Sequence, residues 1–167
     1  MNLVLVCDGA SSGNGGACGA GVVLYDEATG KKIDSVSEYL GDGTNTFAEC
    51  MAIVKGITWM IGYMQNMEEP LRAAGDTVSL TILSDSVLVV NMINDKAKPR
   101  TDDTKRYLAE IMSDLDELKS QAGLKSVKVE HIGRDFTHEA DYLAQDVAQS
   151  KQRERSNEKY PFLNPKK

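Results

Sequence analysis

Four acidic residues, Asp8, Glu49, Asp85 and Asp141, occupy positions from which carboxylates could do chemistry. Asp8 closes the apolar run Leu3-Val4-Leu5-Val6-Cys7, and Asp85 closes a second run ending Ile82-Leu83-Ser84. Glu49 and Asp141 fall in the first turns of two helical patterns. Each has an ordinary structural explanation when taken alone. Asp8 would bond turn amides. Glu49 would be the reciprocal partner of a helix cap at Thr46. Asp85 would cap the helix starting near Ser86, and Asp141 would favour the positive first turn of the last helix. Their joint placement implies more. If the strands that end in Asp8 and Asp85 are parallel neighbours, both aspartates reach the same end of a sheet, and both helix first turns abut it. Four carboxylates meeting there repel one another, and hard divalent cations with oxygen ligands relieve the repulsion. Mg²⁺ takes few carboxylates and keeps positions for water and phosphate. Two such ions roughly 3.5–4 Å apart activate a water and stabilise a leaving oxygen in phosphodiester cleavage. The expected cofactor is therefore a pair of Mg²⁺ ions, with Mn²⁺ as a substitute, and no organic cofactor.

The elements that must position these acids follow from pattern. Residues 3–7 read as a central strand buried on both faces. Asp8-Gly9 ends it, and residues 9–21 are glycine-rich. Strands are expected at 22–25 and about 33–40, joined to the first by connections too short for crossover helices, hence antiparallel. Phe47, Met51, Val54, Ile57 and Ile61 recur at helical spacing, predicting a helix that starts at Thr46 and runs to about Met64. Residues 65–76 contain Pro70 and Gly75 and read as a loop. A strand at 78–83, a short helix after Ser86, a polar basic connection at 94–100 and an amphipathic helix at 101–121 follow. A fifth strand at 127–132 and a final helix at 139–149 complete the pattern. The order β-β-β-α-β-α-α-β-α implies an α/β fold with a five-stranded mixed sheet flanked by helices.

Gly13 to Gly21 superficially suggests a dinucleotide-binding loop, but that fingerprint must open a helix. Here Val22-Val23-Leu24-Tyr25, a strand pattern, follows. The stretch reads either as a flexible hairpin turn or as a loop small enough for a sugar-phosphate backbone to approach.

A length of 167 residues suits one core, and 41% hydrophobic with 26% charged residues is ordinary globular composition. No window approaches ~18 consecutive apolar residues, and the N-terminus lacks a basic leader pattern, so neither a membrane span nor a signal peptide is expected. The 3 cysteines have no Cys-x-x-Cys spacing and only 2 histidines accompany them, which argues against zinc and for reduced thiols in a cytoplasmic protein. A net charge of −6 argues against strong non-specific nucleic-acid binding, although divalent cations in an acidic site reverse the local sign.

Four segments, in order, carry a resemblance to a known family. Asp8-Gly9-Ala10-Ser11 with Asn14, Gly15, Gly19 and Gly21 resembles the opening motif of the ribonuclease H family. Thr44-Asn45-Thr46-Phe47-Ala48-Glu49 resembles its Thr-Asn-Asn-x-Ala-Glu, and Ser84-Asp85-Ser86 with Val89-Val90 resembles its Ser-Asp-Ser segment. Arg134 with Glu139-Ala140-Asp141-Tyr142-Leu143-Ala144 resembles its closing Arg…Glu-Ala-Asp-x-Leu-Ala. The match spans about residues 3–149, taken as a catalytic domain over 1–149 with a charged, flexible tail over 150–167.

This resemblance implies endonucleolytic cleavage of the RNA strand of RNA–DNA hybrids, leaving 5′-phosphate and 3′-hydroxyl ends. It implies that Asp8, Glu49, Asp85 and Asp141 bind the metal ions, with Asp8 bridging both and Glu49 near the RNA 2′-hydroxyl. Asn14 and Asn45 match positions that touch the hybrid backbone. His131 is either a solvent-facing strand residue or a histidine that assists product release. Arg134 resembles the arginine of the type 1 group that lacks a mobile histidine loop, and is the preferred phosphate contact.

The chain also departs from the pattern. Thr137 stands where the family usually has asparagine, and Val87 replaces a frequent glutamine. No large basic helix-loop follows Asp85, and Lys96, Lys98, Arg100, Lys105 and Arg106 form either a smaller basic surface or a solvated face. A monomer is expected. The tail, with Lys151, Arg153, Arg155 and Lys159 before Tyr160-Pro161-Phe162-Leu163, reads as a disordered end or as a contact for protein or nucleic acid. The alternative to a nuclease is a non-catalytic or differently specific nucleic-acid-binding protein on the same fold. Loss of one acid would support it, yet all four are present.

Overall fold

The computed structural model describes residues 1–163. The elements are β1 (Asn2–Ser11), β2 (Ala17–Asp26), β3 (Lys32–Asp42), α1 (Asn45–Ala74), β4 (Val78–Ser84), α2 (Val87–Ile93), α3 (Asp102–Lys119), β5 (Leu124–His131) and α4 (His138–Lys159). A 3-10 turn at Arg134–Phe136 precedes α4 and another at Pro161–Leu163 follows it. One mixed sheet has the order β3-β2-β1-β4-β5. The β1–β2 and β2–β3 pairs are antiparallel, and the β1–β4 and β4–β5 pairs are parallel.

Strand β1 is apolar throughout because both of its faces are covered. Leu3, Leu5 and Cys7 face the larger core, shared with α1 and α3. Val4 and Val6 face a smaller cluster that includes Val23, Ala140 and Leu143, under α4. Burial pushes the Cys7 and Cys50 thiols up to about 12, with the neighbouring Asp8 and Glu49 charges adding to it. All three cysteines are free and buried, so the two shifted thiols are packing groups rather than nucleophiles.

The glycine-rich stretch is mostly strand. Strand β1 continues past Asp8 to Ser11, β2 begins at Ala17, and only residues 12–16 form the turn. Strand glycines were indistinguishable by type from turn glycines, and three of them are there for packing. A Cβ on Gly9 would stand 2.1 Å from the Ala48 carbonyl oxygen, one on Gly19 2.3 Å from that of Ala144, and one on Gly21 2.0 Å from that of Ala140. Helices α1 and α4 therefore meet the sheet backbone to backbone. Gly13 and Gly15, with φ of 73° and 96°, are the residues that make the turn itself.

Three helix boundaries differ from the pattern reading. The cap of α1 is Thr44, whose hydroxyl accepts from Phe47 N, and not Thr46. Helix α1 runs through the expected loop at 65–76 to Ala74, with Pro70 inside. Burial of Met64 and Leu71, and pairs from Arg72 to Glu68 at 2.7 Å and Glu69 at 2.8 Å, offset the amide that proline lacks. Gly75, left-handed at φ 64°, ends the helix.

Helix α4 runs to Lys159, so residues 150–159, expected as a loose tail, are helical. That segment has no apolar stripe to announce it. It consists of good helix formers and packs through polar contacts. The remainder of the expected tail, residues 164–167, lies outside the described residues. Within α3, Lys105 and Arg106 pair with Asp102 and Asp103, which makes them a solvated face. Among the described residues no helix is long and apolar enough to cross a membrane.

The glycine contacts give opposite expectations at two positions. Gly21→Ala drives a methyl into the backbone of α4 and should destabilise by about 1–3 kcal/mol. Gly62→Ala, inside α1 with nothing within 4 Å of the added Cβ, should stabilise by roughly 0.5–1 kcal/mol. Urea unfolding of both variants reads the two signs.

Candidate active site

The sheet brings the aspartates together by register. Parallel pairing of β1 with β4 ends at Val6↔Leu83, two positions short of Asp8, and Asp85 immediately follows the end of β4. Asp8 is paired across to Gly21, which touches the backbone of Ala140 beside Asp141. Its neighbour Gly9 touches the backbone of Ala48 beside Glu49. Asp8 thus stands between α1 and the first turn of α4, each held close by a glycine; because α1 starts at Asn45, Glu49 lies just past its first turn and not in it as expected. All four acids line one cavity of about 670 Å³, with Ser11, Ser12, Asn45, Arg134, Thr137, His138, Gln145 and Gln149 on its walls.

The ordinary explanations for two of the acids fall away. With Thr44 as the α1 cap, Glu49 is not part of a capping pair. Ser86, not Asp85, caps α2, its hydroxyl accepting from Val89 N at 3.4 Å. Asp8 does bond a local amide, accepting from Gly9 N at 3.1 Å through Oδ1.

The electrostatics are those of crowded acids. Asp8 is 5% exposed, and its Oδ2 is buried without a hydrogen-bond partner. Burial is the first cause that pushes the Asp8 carboxyl up to about 8, followed by hydrogen bonding with Asp141 and the charges of Asp85 and Asp141; the Gly9 amide opposes them. With both acids ionised Oδ2 is an orphan, whereas a proton on Asp8 can bridge to Asp141. Burial also raises the Glu49 carboxyl, as does the Asp85 charge, against the Ser86 hydroxyl and the Arg134 charge. Asp85 faces Arg134 Nε at 3.7 Å and the Thr137 hydroxyl at 3.5 Å. Asp141 accepts from Gln145 Nε2 at 2.9 Å.

This donor set fits a hard divalent cation. It is all oxygen, it is crowded with like charge, and it contains a buried carboxylate oxygen lacking any partner. Among the described residues no group of three or more His, Cys, Asp or Glu side chains is placed to hold one metal ion together, so the four acids share a cavity and not a coordination shell.

The other expected site residues divide. Asn45 and Arg134 line the cavity. Asn14 lies behind it in the β1–β2 turn, its Oδ1 accepting from Asn45 N at 3.2 Å. His131, at the end of β5 opposite Ser84, is exposed and not on the cavity wall. Pattern reading missed His138, Gln145 and Gln149. The available signal was spacing, since they share the Asp141 face of α4 at positions 138, 141, 145 and 149. Thr137, noted only as a departure, is 2% exposed, and its carbonyl receives Asp141 N at 2.8 Å.

A family model described as RNase H matches residues 1–149. The chain belongs to the RNase H family. Solved structures carry the same fold. LC11-RNase H1, isolated from compost by a metagenomic approach, has a TM-score of 0.75 at 23% identity, covering 90% of this chain and 98% of that one. The N-terminal RNase H domain of rv2228c from Mycobacterium tuberculosis, solved as a fusion with maltose binding protein, has a TM-score of 0.70 at 23% identity, covering 93% and 99%. A structure of LC11-RNase H1 in complex with an RNA/DNA hybrid has a TM-score of 0.69 at 25% identity, covering 90% and 99%. No curated protein matches the sequence. As an RNase H, the protein is a nuclease, and the family as a whole works with divalent metal ions.

The raised Asp8 carboxyl has a measurable consequence in this RNase H. Below about pH 4 Asp8 is protonated in both folded and unfolded chains and costs nothing. As pH rises toward 8 the unfolded chain releases its proton freely while the folded site resists, so stability falls across that window. In metal-free protein Asp8→Asn should raise the Tm by roughly 2–6 °C at pH 8 and by little at pH 4. Added Mg²⁺ should raise the wild-type Tm at pH 8 more than that of the variant. Calorimetry at the two pH values, with and without the ion, reads both.

Proposed function

We propose that this RNase H is an endonuclease that cleaves the RNA strand of RNA–DNA hybrids, leaving 5′-phosphate and 3′-hydroxyl ends. One observation carries the reading: a buried, unpartnered Asp8 oxygen in a cavity lined by three further carboxylates. The RNA/DNA hybrid found with LC11-RNase H1 supports the substrate class.

Asp8, Glu49, Asp85 and Asp141 would hold two Mg²⁺ ions, or Mn²⁺ in their place. When bound, these supply Lewis-acid activation of the attacking water and neutralise charge on the leaving oxygen. The chain does the rest. Asp8, central and most enclosed, is the carboxylate suited to be shared between two ions. Glu49, at the start of α1, is available to accept a hydrogen bond from the RNA 2′-hydroxyl, which distinguishes RNA from DNA. Arg134, paired with Asp85 at 3.7 Å yet 87% exposed along its side chain, can turn a planar fork toward a phosphate. This arginine is the ground for placing the protein in the type 1 group without a mobile histidine loop, and it leaves His131 a minor role. Asn14 and Asn45 would contact the hybrid backbone. Three buried, reduced cysteines suit a cytoplasmic enzyme, and we take it to act as a monomer.

The experiment is cleavage of end-labelled RNA–DNA hybrid, double-stranded RNA and single-stranded RNA in the presence of Mg²⁺. Cleavage confined to the hybrid's RNA strand is the expected result. Asp8→Asn should abolish turnover while hybrid binding is retained or improved, because one repelling charge is gone. If Asp8→Asn cuts as well as wild type, the site is wrong; if wild type binds hybrid without cutting it, the protein is a binding module on this fold.

A further inference from the structure

The family match ends at residue 149, yet α4 continues to Lys159. The added turns are attached to one place. Arg155 donates to Asp42 Oδ1 at 2.5 Å and to the Tyr39 hydroxyl, and the guanidinium carbon lies 5.7 Å from the Tyr39 ring centre. Lys151, one turn earlier, holds its ammonium 5.2 Å from the same ring.

Asp42 is the last residue of β3, in the sequence Gly41-Asp42-Gly43. Gly41 is left-handed at φ 91°, and the β2–β3 register shifts between Cys18 and Gly19 just beside it. The only side chain available to anchor this segment is that of Asp42. What the segment holds is the β1–β2 turn and the start of α1. The Gly43 carbonyl accepts from Gly15 N at 2.9 Å and from the Ser11 hydroxyl at 3.2 Å, and Gly43 N donates to Gly16 O at 3.1 Å. Thr44 then caps α1, and Asn45 N bonds Asn14 Oδ1. The β1–β2 turn and residues 41–45 therefore form one hydrogen-bonded unit. Arg155 ties that unit to α4, the helix that also carries Asp141, and the two residues are roughly 21 Å apart along its axis.

We propose that Arg155 is a positioning residue. By anchoring Asp42 to the extension of α4, it holds the unit that carries Asn14 and Asn45, which forms one wall of the carboxylate cavity, against the helix that carries Asp141. The role assigned to Asn14 and Asn45 rests on the hybrid-cleavage reading; the anchor itself does not. A single exposed ion pair ordinarily contributes little. Here one guanidinium meets a carboxylate, a hydroxyl and a ring, on a segment flanked by glycines and otherwise held through its backbone.

The test uses the full chain. Arg155→Ala and Asp42→Ala should each raise the KM for labelled hybrid about two- to fivefold. The kcat should hold, because neither residue touches the cavity. The exchanged pair Arg155→Asp with Asp42→Arg should recover much of the loss. Amide hydrogen exchange at residues 41–45 and 13–16 should speed up in both single variants, while residues 140–145 stay unchanged. Two results overturn the proposal. One is unaltered exchange in Arg155→Ala. The other is an Asp42→Ala variant with lowered KM, which would mean that Arg155 is freed to contact phosphate directly. Failure of wild type to cut hybrid would remove the nuclease reading and leave the exchange experiment still able to decide the anchor.

Discussion

At Gly9 and Gly21 the sheet meets the backbones of α1 and α4 with no side chain between them. Layers of sheet and helix normally stand about 10 Å apart because side chains fill the space. Removing the Cβ at these positions draws in the N-terminal part of each helix. Asp141 thereby comes within reach of Asp8, which lies on the strand between the two contacts, and Glu49 lines the same cavity. Gly19 continues the same seam along α4 by touching Ala144. The glycines that would suggest a flexible loop are thus the reason that the acidic site can be crowded.

Crowding has an energetic cost that the fold must absorb. A carboxylate taken from water without a partner is destabilising, and further acids nearby compound the effect. Asp8 shows both influences, with burial the larger. The opposing contribution comes from apolar burial on both faces of β1, where Leu3, Leu5 and Cys7 on one side and Val6 on the other are almost fully covered. A rigid two-sided core is what allows the strand to carry a group that would otherwise leave for solvent. Such a site is poised for an external cation in the way a preorganised pocket is poised for its ligand.

The charge balance of the molecule makes the same point at larger scale. A chain of net charge −6 has little long-range attraction for a polyanion. Of the basic residues after α2, Lys105 and Arg106 are paired within α3 and add little to it. What the cavity offers instead is one exposed arginine, amide side chains at Asn45, Gln145 and Gln149, and the hydroxyls of Ser11 and Ser12. Recognition in such a cavity depends on directed hydrogen bonds and on bound cations more than on a general positive field.

The order of strands and helices, the mixed sheet and the four acids could all be read from the chain, because strand and helix periods and motif spacing are local properties. The motif resemblance also pointed to Arg134 and Asn45, and both line the cavity. Residue type alone could not say that β1 runs on past Asp8 or that Gly9, Gly19 and Gly21 are packing residues, since those facts depend on which helix lies opposite. The continuation of α1 through Pro70 and of α4 to Lys159 depended on distant partners, Leu71 against the core and Arg155 against Asp42, which outweigh weak local signals. Spacing put His138 and Gln145 on one face with Asp141, but that this face lines the cavity depended on how α4 packs. The sequence by itself determined which elements form and which acids they carry. Tertiary structure decided which backbones touch, how deeply Asp8 is buried and what surrounds it, because those depend on contacts between residues far apart along the chain.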